Sequence, residues 1–123
     1  MENISRILNS SADDRYKHFI KTIIEKQEVW FLEFEDAYTM FKNEEGGVDL
    51  LVWQDKKMAE DYAVEGEIPV SISFEEFCDQ CKAYVGSKEV MLMVCPTEDK
   101  DVIIVNMEQM LNDIERKISN GKS

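Results

Sequence analysis

From Glu28 to Ile118 the chain passes through four signatures in a fixed order: VWFLEFEDAYTMF, GGVDLLVWQDKKMAEDYA, SFEEFCDQC and VMLMVCPTEDKDVIIVNMEQMLNDI. Short runs of β-branched and aromatic residues, bounded by turn residues, alternate with helical patterns whose starts carry capping side chains. That order specifies one α+β domain.

The elements can be read one by one. Ser11-Ala-Asp-Asp14 resembles a capping box, and Tyr16, Phe19, Ile20, Ile23 and Ile24 then form the apolar stripe of a helix ending near Lys26. Three strands follow, Glu28–Phe34, Tyr38–Lys42 and Val48–Trp53, with turns at Asp36 and Glu44–Gly47. The short turns imply an antiparallel meander. Asp55 caps a helix presenting Met58, Ala59, Tyr62 and Ala63, with Gly66 beyond its end. Pro69–Ile72 reads as a short strand, and Ser73-Phe-Glu-Glu76 as a capping box for a helix with Phe74, Phe77, Cys78, Cys81, Tyr84 and Val85 on one face. The unbroken apolar run within Glu89–Cys95 implies a central strand, and Val102–Val105 returns after the polar turn Thr97–Asp101. Asn106-Met-Glu-Gln109 opens a last helix that buries Met107, Met110, Leu111, Ile114 and Ile118. Residues 1–10, with Ile4, Ile7 and Leu8 at helical spacing, read as an arm, and 119–123 as a tail.

The expected fold is therefore α+β. It is a single domain spanning 1–123, with a mostly antiparallel, twisted sheet of five or six strands and about four helices, in the order α-β-β-β-α-β-α-β-β-α. The first strand carries Val29 and Phe31 on one face and Trp30, Leu32 and Phe34 on the other, so both faces of the sheet call for cover.

Charge narrows the function. Fourteen basic residues face twenty-six acidic ones, a net charge of −12. Binding nucleic acid or an anionic membrane needs clustered cations, and nothing larger than Lys56–Lys57 occurs before the C-terminal tail. Neither partner is expected. The acidity serves solubility or forms a docking face for a basic protein. The first twenty residues lack a signal-peptide core, and the longest apolar run, Val90–Cys95, is far short of a membrane span. A soluble, cytoplasmic bacterial protein is expected, with its three cysteines outside structural disulfides.

A resemblance follows from residues in order. Arg15, Tyr16 and Phe19 spell R-Y-x-x-F, and Val29-Trp30 follows. Leu50, Trp53 and Asp55 spell L-x-x-W-x-D, leading to Ala59-Glu60. Ser73, Glu75 and Phe77 spell S-x-E-x-F, and Cys95-Pro96-Thr97 closes a strand. From roughly Arg15 to Ile118 the chain resembles the prokaryotic family catalogued as domain of unknown function 2750. That resemblance brings no activity, cofactor or catalytic residue. More distantly, the layout of strands and helices is similar to the N-terminal domain of the enhanced-serine-sensitivity protein, an analogy of layout that implies no function.

The sequence holds few groupings suited to catalysis or metal binding. Cys78-Asp-Gln-Cys81 is a C-x-x-C, but its helix starts at Ser73, so Cys78 lies a full turn inside and away from the N-terminal dipole that activates such thiols. Two small core residues, reduced, buried and metal-free, are the expected reading. His18, the lone histidine, sits on the polar face of its helix, a poor place for a buried base. Glu98, Asp99 and Asp101 share a turn with Lys100 and lack the glycine and spacing of a calcium loop. No glycine-rich phosphate loop occurs. No catalytic, cofactor or metal-binding residue is assigned. Trp30 and Trp53 read mainly as core, but Trp53 ends a strand, so its indole is also a candidate anchor for a partner, with Glu44 and Glu45 as rim charges.

Two function classes remain. The first is a non-enzymatic binding or adaptor module with a basic protein partner; an immunity protein that masks a basic toxin would be one version. The second is a small ligand-binding domain or enzyme using carboxylates or Cys95. The lack of a nucleophile–base pair weighs against the second.

Overall fold

The computed structural model describes residues 11–44, 46–86, 89–96 and 102–121. The expected arm at 1–10, the turn Thr97–Asp101, Glu45 and the last two residues of the tail lie outside them. Four helices are described, and each begins at the cap its sequence implies. Ser11 Oγ accepts from the Asp14 N–H at the start of α1 (Ala12–Lys26), 3.1 Å. Asp55 Oδ1 accepts from Lys57 N–H, 2.8 Å, at α2 (Lys56–Tyr62). Ser73 Oγ accepts from Glu76 N–H, 3.1 Å, at α3 (Phe74–Ala83). Asn106 Oδ1 accepts from Gln109 N–H, 2.7 Å, at α4 (Met107–Gly121). Each cap satisfies a donor that the helix itself leaves orphaned. Helix α4 continues through Gly121, so positions 119–121 are helix rather than tail.

The sheet departs from expectation in count and direction. Seven strands are described: β1 (Glu28–Phe34), β2 (Ala37–Tyr38), β3 (Met40–Lys42), β4 (Val48–Val52), β5 (Ile68–Ser73), β6 (Val90–Val94) and β7 (Ile103–Val105). They form two sheets, ordered β2-β1-β5 and β3-β4-β6-β7. The expected strand Tyr38–Lys42 is two pieces, because Thr39 is where the chain leaves β1 for β4. Most pairings are antiparallel, but β4 and β6 are parallel, with Leu50 opposite Leu92. The reason is the long path between them. The chain goes out through α2, β5 and α3 before β6 returns, and such a crossover delivers a parallel neighbour where a tight turn cannot. Strand β6 sits between β4 and β7 with Leu92 fully buried, the central place its apolar run implies.

The two sheets meet at a junction that the hydrogen bonds define. Trp30 and Trp53 exchange both backbone bonds, at 2.8 and 2.9 Å, in an isolated antiparallel bridge. Thr39 N–H donates to Leu32 C=O of β1, and Asn43 N–H to Gly47 C=O beside β4. Given the register Lys42 opposite Val48 and Glu33 opposite Tyr38, residues 37, 39, 41 and 43 all turn their backbone groups inward, first to β1 and then to β4. Helices α1, α3 and α4 pack together over the sheets, while α2 packs against β1 and β5. Phe77 of α3 lies 6.5 Å from Phe19 of α1 and 6.3 Å from Phe31 of β1, joining the helical layer to the sheet.

Candidate protein-binding surface

Two residues of the sequence signature, Arg15 and Cys95, come together, but inside the molecule. Arg15, Gln54 and Cys95 converge with Thr22 where β4 and β6 end, and all four are buried. Thr22 Oγ1 lies 3.4 Å from His18 Nδ1 and accepts from Gln54 Nε2, 3.3 Å; Gln54 Oε1 in turn accepts from Cys95 Sγ at 3.8 Å. His18 is half-buried, less outward than the helical wheel implies. Cys95 adopts φ +48°, a left-handed kink that turns the chain out of β6 into Pro96. Burial pushes its thiol up to about 12, although a backbone hydrogen bond from Gln54 and the Arg15 charge pull the other way. At neutral pH that thiol is protonated and has no path to a solute, so a nucleophilic role for Cys95 has no support in this arrangement. The polar chain pins α1 to the ends of two strands.

Trp53 belongs to the same interior. It is 1% exposed, its indole N–H reaches toward Pro96 C=O at 3.4 Å, and its ring lies 5.4 Å from Tyr62. This corrects the expectation of an indole anchor at the surface. Trp53 ends its strand at the junction of two sheets, and the bridge to Trp30 with α2 above it closes the rim. Trp30 is the half-exposed member of the pair, its N–H held by Glu28 Oε1 at 3.1 Å. Glu44 is exposed in the turn after β3.

The C-x-x-C thiols are free. Cys81 is buried, and burial first, then the Cys78 charge, pushes it up to about 12. Cys78 is half-buried and lines a groove of about 760 Å³ between α3 and α4, beside Phe74, Leu111 and Ile118. Its thiol is raised by burial, with Lys82 opposing. A second groove, about 500 Å³ between α1 and α4, is charged but internally paired. Lys17 meets Asp13 at 3.2 Å, Arg116 meets Asp113 at 3.7 Å, and Tyr16 O–H donates to Asp113 Oδ2 at 2.5 Å. Among the described residues no three His, Cys, Asp or Glu side chains gather as metal ligands would, and no helix is long and apolar enough to cross a membrane.

A third groove, about 460 Å³, differs from both. Phe34, Ala37, Thr39, Met40 and Val64 line it, with Glu65 and Glu67, and no lysine or arginine is among the described residues lining it. Phe34, Met40 and Val64 are 46%, 44% and 67% exposed, an unusual concentration of large apolar side chains in water. Their placement has local causes. Phe34 ends β1 at a two-residue hairpin in which Glu35 and Asp36 both take positive φ, +49° and +66°. Gly66, at φ +93°, lets the 64–67 loop close on the Phe34 ring; a Cβ there would sit 2.8 Å from it. Glu67 fixes that loop by accepting from Thr39 O–H, 2.5 Å, and from Val64 N–H, 2.8 Å. The sequence pattern alone does not single these residues out, since Phe34 reads as core by alternation. The usable signal is Val64, an apolar residue just past the helix's apolar positions Tyr62 and Ala63 and directly before Glu65-Gly66-Glu67.

Residues 16–114 match the profile of the family described as Protein of unknown function (DUF2750), and the chain belongs to that family. No curated protein matches it.

Proposed function

We propose that this member of the family is a protein-binding module rather than an enzyme, and that it takes a basic partner on the groove of Phe34, Met40 and Val64. One observation carries the reading: the groove is lined by Phe34, Met40 and Val64 together with Glu65 and Glu67, has the exposed Glu35 and Asp36 in the hairpin between its lining residues Phe34 and Ala37, and is lined by no cation among the described residues. An apolar centre supplies the buried area of a contact, and a rim of one sign supplies steering and selectivity. The burial of Cys95 and the internal pairing of the α1–α4 groove favour binding over catalysis.

The test is capture of partners from the native host by the unaltered chain and by a variant carrying Val64→Ser, Glu65→Lys and Glu44→Lys. Those side chains are exposed, so the fold should persist. A partner retained by the first and lost by the second is then assayed at about 0.05 and 0.5 M salt, where the Debye length falls from roughly 14 to 4 Å. Association that slows with salt supports the reading. An identical set of captured proteins from both forms would overturn it.

A further inference from the structure

The groove lies beside an open backbone edge. Because residues 37, 39, 41 and 43 spend their backbone groups on β1 and β4, the intervening residues Tyr38, Met40 and Lys42 turn theirs the other way. Strands β2 and β3 are each at the edge of their sheet, and β3 is exposed along its whole length. Natural proteins normally blunt such an edge with proline, bulges or inward charges. This one carries a single lysine, Lys42, and exposes Met40 and Phe41 instead.

The charges are arranged around that edge. Glu35 and Asp36 stand at its Ala37 end and Glu44 at its Lys42 end, and Glu33 and Glu76 lie close enough to Tyr38 to add to the rise that burial gives its hydroxyl pKa. The strand from 37 to 42 spans roughly 20 Å at about 3.3 Å per residue. The two acidic ends are thus separated by the length of a short extended segment.

We propose that the partner adds a β-strand to the Tyr38–Met40–Lys42 edge, as an extended segment with arginine or lysine at both ends and apolar side chains between them. This rests on the groove being a protein-binding site and names how it binds. The backbone edge supplies hydrogen bonds that any sequence can accept, the Phe34–Met40–Val64 groove takes an apolar side chain, and the carboxylates at each end hold the cations. A second copy of the chain is the alternative strand donor, but it would bring Glu35, Asp36 and Glu44 against their own images. Charge therefore favours a basic segment.

The experiment titrates the full chain with three synthetic peptides of equal charge. One carries two arginines at each end of Val-Thr-Val-Thr-Val. The second is the same peptide N-methylated at alternate residues, which keeps the charge and removes the pairing edge. The third is a helix-forming sequence with the same arginines. The first should bind about tenfold more tightly than the others, the scale of one or two net hydrogen bonds, and slow amide exchange at Met40 and Lys42. Met40→Pro should abolish that advantage, since the Met40 N–H makes no bond within the sheet. If that variant does not fold, the N-methylated peptide still decides. Equal binding by the first two peptides, or an edge-to-edge dimer of the chain in sedimentation, would overturn strand addition while leaving the protein-binding reading in place. No binding by any of the three would overturn both.

Discussion

The two buried thiols should make this protein unusually sensitive to alkali. Cys81 and Cys95 are pushed up to about 12 by burial. In the unfolded chain both ionise near their ordinary value. Between these limits the unfolded state binds fewer protons than the folded one, so stability is fully present below about pH 9 and falls as pH rises toward 12. A tenfold change in a protonation equilibrium is worth about 1.4 kcal/mol, so at about pH 10.5 each thiol should cost about 2 kcal/mol and the pair about 4. Against a total of roughly 5–15 kcal/mol for a domain this is decisive. Tyr16 and Tyr38, both raised chiefly by burial, add the same sign above about pH 10. The assay is urea unfolding at about pH 8 and 10.5, for the unaltered chain, Cys81→Ala, Cys95→Ala and the double variant. Each single variant starts less stable, from its lost contacts, yet should lose about 2 kcal/mol less between the two pH values. An unchanged loss in the double variant would refute this reasoning, because it would mean that the thiols are hydrated when folded.

Three further outcomes follow from packing and backbone geometry. Leu92 is fully buried at the centre of β6, so Leu92→Ala should cost about 2–5 kcal/mol in chemical unfolding. Gly47 lies where β4 begins to pair with β6, and a Cβ there would meet Glu89 C=O at 2.5 Å; Gly47→Ala should cost about 1–3 kcal/mol in the same assay as the strands are forced apart. Replacing Glu35-Asp36 by Asn-Gly relieves two left-handed residues at the β1–β2 hairpin and should raise stability by about 1 kcal/mol, read as a higher urea midpoint at unchanged slope.

Local features of the fold were legible because local chemistry fixes them. Ser11, Asp55, Ser73 and Asn106 each accept the helix N–H that their sequence position implies. The apolar run of β6 named the central strand. What could not be read was pairing between distant strands. The direction of β6 against β4 depends on the crossover through α2, β5 and α3, and no residue in either strand encodes it. The division of strand 37–42 between β1 and β4 was hidden for the same reason: both partners are apolar, and alternation does not say which one a residue faces. Trp53 shows the limit for sites. A tryptophan at a strand end is equally suited to a core or a contact, and only the bridge to Trp30 closes the choice. The groove was invisible because Phe34 is exposed by where the covering elements stop, not by its own sequence pattern.

The acidity and the open edge explain each other. An exposed strand edge flanked by Phe34, Met40 and Phe41 is a hazard, because the nearest complementary edge in a concentrated solution belongs to another copy of the chain. A net charge of −12 opposes that encounter everywhere, and Glu35, Asp36 and Glu44 oppose it where the strands would align. If solubility were the whole purpose, a proline or a second lysine in 37–42 would protect the edge with less charge repulsion. Keeping the edge free of proline and surrounding it with carboxylates repels copies while leaving the backbone available. Under the proposed strand addition, the same charges that exclude a second acidic strand would attract a basic one, so a single arrangement would both repel copies and select the partner.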